Sequence, residues 1–249
     1  MLVVERLVVA FGGLVAVDNV SFEAGDGEVL SIIGPNGAGK TTVFNAVSGF
    51  VAPTQGRVSL GDRDITGKRP HQIARLGLVR TFQKRSFFPQ LTVKENILSG
   101  LREHAPAKAL IWGGARLDAQ VDRAIEVAGL QGRAEDVAES LPYGEQRLLG
   151  VGIALTAGPK FLLLDEPCAG MNPVEVDRMI GLIDQLKEEG LTIIVVEHQM
   201  RFVMGISSRV VVLDHGQKLT DGTPQEVREN PRVIEAYLGK GILDHGTTA

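Results

Sequence analysis

The nine residues Gly34-Pro-Asn-Gly-Ala-Gly-Lys-Thr-Thr42 constrain the fold of this chain more than any other feature. They fit the pattern G-x-x-x-x-G-K-[ST] and lie between an apolar run, Val29–Ile33, and helix-forming sequence. Glycines let successive backbone N–H groups face a phosphate chain, and a helix N-terminus adds a favourable dipole. The pattern therefore predicts a nucleotide phosphate site rather than a ligand-free glycine turn. The residues expected to contact the nucleotide are Gly34, Pro35, Asn36, Gly37, Ala38, Gly39, Lys40, Thr41 and Thr42.

Two of these residues have specific expected roles. Lys40 is expected to reach the β and γ phosphates, and Thr41 to supply a hydroxyl to Mg²⁺. A second motif, the apolar run Phe161–Leu164, ends in Asp165 and Glu166. In a parallel sheet such a strand end lies beside the phosphate loop. Asp165 is expected to bind Mg²⁺, and Glu166 to polarise the attacking water as general base.

An apolar strand that ends in two acids is, by itself, more often an ordinary strand terminus. The phosphate loop upstream favours the catalytic interpretation here. The sequence thus predicts an ATPase-like site built from two separate strand ends.

Composition excludes several other classes of protein. The 249 residues are 44% hydrophobic and 22% charged, which is ordinary globular usage. Lys and Arg total 26 against 30 Asp and Glu, so the formal net charge of −4 gives no basic field for nucleic acid. A single cysteine, Cys168, excludes an internal disulfide scaffold and is interpreted as small apolar packing, not as a nucleophile. The histidines show no zinc-ligand spacing.

No apolar stretch reaches the roughly 18 residues needed to cross a bilayer. The run Leu7–Val17 has the length of a signal-peptide core, but Gly12 and Gly13 interrupt it. A strand, a turn and a second strand explain this run better. We therefore expect a cytoplasmic protein, one that can still dock on a membrane protein.

Strand-like and helical segments alternate along the chain around a mainly helical middle. One amphipathic helix is predicted over Leu117–Ala128, ending near Gly129, and another from Pro173 to Glu189 with Asn172 as its N-cap. The segment His104–Arg116 has no assignment. This order predicts an α/β core interrupted by a helical insertion. The predicted strands are Leu2–Val4, Leu7–Phe11, Val29–Ile33, Val58–Leu60, Phe161–Leu164, Thr192–Val196, Val210–Leu213 and Lys218–Thr220, the last two joined by a hairpin turn.

With these motifs in place, the chain resembles the ATP-binding subunits of ABC transporters over essentially its whole length. Gln83 matches the family's glutamine loop, which implies contact with Mg²⁺ and the lytic water. His198, after the strand, matches the switch histidine at the γ-phosphate, so the expected catalytic set is Glu166, His198 and Gln83. Phe11 lies where the family stacks an aromatic ring on adenine. The residues that match the D-loop are Ala169, Gly170, Met171 and Asn172.

Each of these four matches also has an ordinary explanation. A lone Gln or His after a strand is usually a solvated cap, and Phe11 alone would be core. Their order around the two strong motifs favours the functional interpretation.

The resemblance also implies a fold and a domain plan. The fold is α/β: a P-loop NTPase ABC ATPase core with an N-terminal antiparallel β part and an inserted α-helical subdomain. Residues 1–249 are expected to form a single ABC ATP-binding domain. Within it, 1–83 and 148–249 make the catalytic core, and 84–147 make the helical subdomain with the signature motif. ATP and Mg²⁺ are the expected cofactors.

A more specific resemblance is to the branched-chain amino acid uptake branch of this family. It implies a second, unlike ATPase subunit, two membrane permeases and an extracytoplasmic binding protein, with no nucleic acid. The chain would then be peripheral, on the cytoplasmic face of the cell membrane. Substrate choice lies in other chains. The segments that carry this resemblance are Phe11–Val17, Gly77–Gln83, Phe88–Asn96 and Ala236–Gly239.

One motif departs from the family pattern. The signature Leu-Ser-Gly-Gly-Gln, or Leu-Ser-Tyr-Gly-Gln in this branch, is here Leu141, Pro142, Tyr143, Gly144 and Glu145. In the family this segment touches the γ-phosphate bound by the opposite subunit. Pro142 removes a hydroxyl and a backbone N–H, and Glu145 puts a negative charge near a polyphosphate. We expect the isolated chain to be a poor ATPase that needs an unlike partner; harmless variation is the alternative.

Two other functions stay open at this stage. A lipopolysaccharide-export ATPase shares much of the pattern. A soluble ABC-type ATPase of DNA maintenance or translation is the alternative from another class. The single nucleotide-binding cassette, the absence of a long coiled-coil insertion and the acidic balance count against it.

Overall fold

The computed structural model describes residues 1–81, 87–104 and 114–238. Its strands are β1 (Leu2–Phe11), β2 (Leu14–Ala24), β3 (Val29–Ile33), β4 (Gln55–Leu60), β5 (Arg63–Asp64), β6 (Leu78–Arg80), β7 (Phe161–Asp165), β8 (Thr192–Val196), β9 (Arg209–Asp214) and β10 (Gln217–Gly222). Its helices are α1 (Lys40–Val47), α2 (Pro70–Arg75), α3 (Val93–His104), α4 (Gly114–Val127), α5 (Tyr143–Leu155), α6 (Pro173–Glu188), α7 (Met200–Ile206), α8 (Pro224–Glu229) and α9 (Pro231–Leu238).

A six-stranded sheet forms the centre of the fold, in the order β10-β9-β3-β8-β7-β6. Strands β9, β3, β8, β7 and β6 run parallel, and only β10 is antiparallel to its neighbour. Every residue of β3, β7 and β8 is buried, as expected of parallel strands that helices cover on both faces. This sheet confirms the predicted α/β core.

A four-stranded antiparallel sheet, in the order β2-β1-β4-β5, lies against one face of this core. The sequence predicted two strands where the structure has the single strand β1, so that division was wrong. The register against β2 nevertheless shifts between Val4 and Leu7, with Arg6 at a φ of 47°. A Cβ on the neighbouring Gly56 would lie 2.4 Å from the Arg6 carbonyl oxygen. The break in the pattern therefore reflects a bulge inside one strand.

Helices α3, α4 and α5 pack around a separate apolar cluster, in which Ile97, Val121 and Leu149 are buried. The predicted amphipathic helix is confirmed as α4, and Gly129 follows it at a φ of 67°. The unassigned segment His104–Arg116 includes the end of α3 and the start of α4, and its residues 105–113 lie outside the described residues.

The second predicted helix is confirmed as α6, one residue shorter than expected. The Asn172 side chain accepts hydrogen bonds from the backbone N–H groups of Val174 and Glu175, and the Asn172 N–H donates to Glu175 Oε2. The predicted hairpin is also confirmed, with His215 and Gly216 at positive φ between β9 and β10. No helix in the described ranges is long and apolar enough to span a bilayer.

Candidate functional site

The phosphate-loop residues connect β3 to the first turn of α1. Gly34 and Gly39 have φ values of 151° and 97°. A Cβ at Gly34 would lie 2.1 Å from the Leu213 carbonyl oxygen, and one at Gly39 would lie 2.7 Å from that of Ala16. Both positions therefore require glycine, because neighbouring backbone fills the space a side chain would need. The loop is held between the β1–β2 hairpin and β9.

Lys40 is the first residue of α1 and is almost fully buried, with 8% of its surface exposed. Its Nζ donates hydrogen bonds to the carbonyl oxygens of Gly34, at 2.7 Å, and Pro35, at 3.0 Å. Burial lowers the pKa of Lys40, while the negative charges of Glu166 and Glu197 oppose that change. A buried ammonium held by loop carbonyls can exchange these partners for phosphate oxygens.

Asp165 and Glu166 lie at the carboxyl end of β7, beside the loop that follows β3. Asp165 is buried, and its Oδ2 accepts a hydrogen bond from Arg80 at 2.7 Å, whereas its Oδ1 has no hydrogen-bond partner among the described residues. Glu166 adopts a φ of 46°, and its backbone N–H donates to the Val196 carbonyl oxygen at 2.8 Å. Such a backbone is strained for a residue with a side chain, and it turns Glu166 out of the strand direction.

Sequence reasoning missed a third carboxyl group, that of Glu197. It follows β8, is 1% exposed and forms no hydrogen bond of regular geometry with a described residue. Burial raises the pKa of Glu197 to about 7, and the negative charge of Glu166 adds to this increase. The backbone N–H groups of Gln199 and His198, and the charge of Arg147, offset part of it. The available signal was an acid directly after the apolar run Ile193–Val196.

The remaining residues expected around the nucleotide are more exposed. Phe11 ends β1, is 51% exposed and pairs in register with Leu14 across the β1–β2 hairpin. His198 is exposed in the loop between β8 and α7. Gln83 lies outside the described residues, so its expected role stays a prediction. The structure therefore brings the phosphate loop together with Glu166 and Glu197, and leaves Phe11 and His198 on the surface.

The signature residues surround the start of α5. Pro142 is the N-cap of this helix and makes no side-chain capping bond, and Leu141 before it is buried. Tyr143 is 46% exposed and lies under the guanidinium of Arg147, 5.0 Å from the ring centroid. The Gly144 N–H donates to Glu175 Oε1 at 3.3 Å, so α6 helps to position this segment.

Two arginines that the sequence argument did not include lie beside Glu145. Its carboxylate lies 3.4 Å from Arg133 Nε and 3.8 Å from Arg178 Nη1. In the sequence analysis we expected Glu145 to repel a polyphosphate and took account of its charge alone. The positive charges of these two guanidinium groups reduce that repulsion. Pro142 is left as the main departure from the family pattern.

The D-loop residues lie between β7 and α6. Asn172 caps α6, Met171 is buried, and Ala169 is partly buried. A Cβ at Gly170, which has a φ of 80°, would lie 3.1 Å from Tyr143 Cε1. The D-loop and the signature of the same chain are therefore in contact.

Cys168 agrees with its interpretation as apolar packing. It is buried, and burial raises the pKa of its thiol. An unactivated thiol of this kind is not a nucleophile at neutral pH. Among the described residues, no group of three or more His, Cys, Asp or Glu side chains could hold a metal ion.

Two family models match this chain. The model described as ABC transporter matches residues 17–169. The model described as branched-chain amino acid ATP-binding cassette transporter matches residues 217–242.

Individual relatives and solved structures agree with these models. The high-affinity branched-chain amino acid transport ATP-binding protein LivG of Salmonella typhimurium is 44% identical, over 96% of this chain and 98% of LivG. The lipopolysaccharide export system ATP-binding protein LptB of Acidithiobacillus ferridurans is 36% identical, over 96% of this chain and 97% of LptB. The ADP conformation of MJ1267, an ATP-binding cassette of an ABC transporter, superposes with a TM-score of 0.87 at 31% identity, covering 96% of this chain and 99% of MJ1267.

Proposed function

The chain belongs to the ATP-binding subunits of ABC transporters, and from that premise we propose that it hydrolyses ATP to drive uptake of branched-chain or related amino acids. The higher identity to LivG than to LptB supports amino acid uptake over lipopolysaccharide export. The match of residues 217–242 to the branched-chain model supports the same choice.

The observation that carries the ATPase assignment is the meeting of the phosphate loop with the acidic ends of β7 and β8. Lys40 lies close enough to Glu166 and Glu197 for both carboxylates to affect its pKa. In the proposed site Lys40 turns from the Gly34 and Pro35 carbonyls to the β and γ phosphates. The first N–H groups of α1 add hydrogen bonds and a favourable dipole.

Mg²⁺ fits the residues present at this site. Asp165 offers a buried carboxylate oxygen, Oδ1, with no hydrogen-bond partner among the described residues, and a bound cation would compensate its burial. Thr41, in the first turn of α1, offers a hydroxyl, and Gln83 is the expected third contact. When bound, Mg²⁺ neutralises negative charge that develops on the phosphates.

Glu166 is the proposed general base. Its strained backbone carries the carboxylate away from the line of β7, where it can accept a proton from the attacking water. His198 is proposed to contact the γ-phosphate, and Phe11 to stack on adenine. The exposure of both side chains leaves them accessible to a ligand.

The partners follow from the same assignment. We propose two membrane permeases, a second and unlike ATPase subunit, and an extracytoplasmic substrate-binding protein, with this chain on the cytoplasmic face of the cell membrane. The signature and the D-loop would complete the site of the second ATPase subunit. The lack of a side-chain cap at Pro142 supports an unlike partner with an intact signature.

Two substitutions test the function. Lys40→Ala should abolish most ATP binding, because the variant loses the buried ammonium proposed to bind the β and γ phosphates. Glu166→Gln should keep ATP binding and lower turnover by roughly 10²-fold or more. Equilibrium binding of ATP with Mg²⁺ and steady-state hydrolysis measure the two effects.

Lys187→Ala and Glu188→Gln, on the exposed side of α6, are the matched controls and should change neither quantity. Unchanged ATP binding in a folded Lys40→Ala variant would remove the phosphate loop from the proposal. Normal turnover in Glu166→Gln would remove Glu166 as the base.

A further inference from the structure

Arg80, the last residue of β6, has a buried guanidinium to which the proposed mechanism gives no role. Only 7% of its side chain is exposed. Its Nη2 donates to Asp165 Oδ2 at 2.7 Å, and its Nη1 donates to Asn45 Oδ1 at 2.8 Å and Ser48 Oγ at 2.9 Å. The charge is therefore paired and hydrogen-bonded, as a buried guanidinium requires.

Two aromatic rings flank the same guanidinium. The rings of Phe44 and Phe50 have their centroids 5.6 Å from the Arg80 Cζ. Cation–π attraction to these rings adds to the hydrogen bonds that hold the guanidinium. Phe44 and Asn45 belong to α1, and Ser48 is the C-cap residue of that helix. Arg80 thus links the helix after the phosphate loop to the acidic end of β7.

We propose that Arg80 is a positioning residue for Mg²⁺, acting through both protein groups expected to hold the ion. It binds Asp165 at Oδ2 and so keeps Oδ1 as the oxygen for the metal. It also ties α1, which begins with Lys40 and Thr41, to β7, which ends with Asp165. This inference rests on the proposed function, because it takes Thr41 and Asp165 as the magnesium residues.

The geometry requires an arginine and not merely a positive charge. A planar guanidinium reaches Asp165 with one terminal nitrogen and α1 with the other. The ammonium of a lysine is a single point and cannot span both sides in that way. Arg80→Lys therefore keeps the charge and removes the link.

If Arg80 positions the metal residues, Arg80→Lys should weaken metal binding. If Arg80 merely competes with the metal for Asp165, the same substitution should strengthen it. Loss of the ion pair would then free the carboxylate, and the metal would bind more tightly. The direction of the change in metal affinity separates the two roles.

The test uses Mn²⁺ as the probe in the presence of a non-hydrolysable ATP analogue, with bound Mn²⁺ measured by electron paramagnetic resonance. Arg80→Lys should weaken Mn²⁺ binding by roughly 10- to 100-fold, the usual loss when a group that orients a metal ligand is removed. Binding of the analogue in excess EDTA should stay unchanged. Arg57→Lys, the same change in the exposed Arg57–Asp64 pair, is the matched control and should leave Mn²⁺ affinity unchanged.

Asp165→Asn separates this inference from the proposed function. If Asp165→Asn leaves Mn²⁺ affinity unchanged, the proposed metal residues are wrong. If Asp165→Asn weakens Mn²⁺ binding and Arg80→Lys leaves it unchanged or tighter, only the role of Arg80 is overturned.

Should Arg80→Lys fail to fold, Asn45→Ala removes one hydrogen bond between Arg80 and α1 and should also weaken Mn²⁺ binding. Unchanged Mn²⁺ affinity in folded Asn45→Ala would likewise overturn the inference.

Discussion

Glu197 is a buried acid whose surroundings disfavour its charged form. Burial and the nearby Glu166 raise its pKa to about 7, against an ordinary value of 4.5, and the backbone N–H groups of Gln199 and His198 and the charge of Arg147 oppose only part of this increase. Burial raises the pKa of the neighbouring Cys168 thiol, and the charge of Glu197 raises it further. Ionised Glu197 is thus a local source of instability in the folded chain.

The sign of the pH dependence follows from the direction of this change. Between pH 4.5 and about 7 the folded chain holds the Glu197 proton and the unfolded chain has released it. The free energy of unfolding therefore falls as pH rises through this range, and the full cost applies above it. The size of the effect is on the order of 3 kcal/mol.

Glu197→Gln, which is neutral and similar in shape, should remove this cost. Without nucleotide, the variant should exceed the parent in free energy of unfolding by up to about 3 kcal/mol at pH 8 and by little at pH 5. Urea unfolding at both pH values measures the difference, with Glu188→Gln as an exposed control. An equal difference at both pH values would contradict the assignment of the buried charge.

The sequence was most informative about residues whose position in the fold follows from their immediate neighbours in the chain. The phosphate loop, Asp165 and Glu166 were predictable because a strand followed by a loop or an acid fixes where they lie. Glu197 was missed because a single acid after a strand is common. Arg133 and Arg178 were missed as partners of Glu145 because contacts between distant segments leave no local pattern.

At the scale of whole elements, prediction succeeded where apolar periodicity and end signals coincided. Helix α6 has Asn172 at its start and Gly190 after its end, and α4 has an apolar stripe and Gly129. It failed for β1, since a bulge at Arg6 and a true gap between strands look alike in sequence. Pairing with β2 and β4 makes residues 2–11 a single strand, and such pairing depends on segments distant in sequence.

Helix α9 gives an element-scale prediction. Its buried residues Val233 and Tyr237 pack in a cluster with Ile33, directly before the phosphate loop, whereas Ile234 on the same helix is 37% exposed. Tyr237→Ala should lower the free energy of unfolding by about 3–5 kcal/mol, as for other large buried aromatics. Ile234→Ala, the matched control, should change it by less than about 0.5 kcal/mol. Similar losses in the two variants, measured by urea unfolding, would mean that α9 is not docked through Tyr237.

At the scale of the whole molecule, the signature at the start of α5 packs against the D-loop and the start of α6 in the same chain. Tyr143 of the signature is in contact with the D-loop at Gly170, and Gly144 is hydrogen-bonded to Glu175 at the start of α6. The signature is therefore held by the same segment that follows Glu166. If, as proposed, this signature completes the site of the second ATPase subunit, two copies of this chain would place the same altered signature in both sites.

We attribute the expected weakness of this signature mainly to Pro142. Arg133 and Arg178 lie beside the Glu145 carboxylate, whereas Pro142 itself offers neither the hydroxyl nor the N–H that a serine would supply. One lost charge-assisted hydrogen bond costs about 1.5–3 kcal/mol, or one to two orders of magnitude in the equilibrium constant for dimer closure.

Steady-state ATPase of the chain alone should therefore rise by about 10-fold or more in Pro142→Ser and change little in Glu145→Gln. An unlike subunit with an intact signature should raise the parent's rate comparably. Vigorous activity of the parent alone, unimproved by Pro142→Ser, would mean that Tyr143, Gly144 and the N-terminus of α5 suffice and that the chain needs no unlike partner for catalysis.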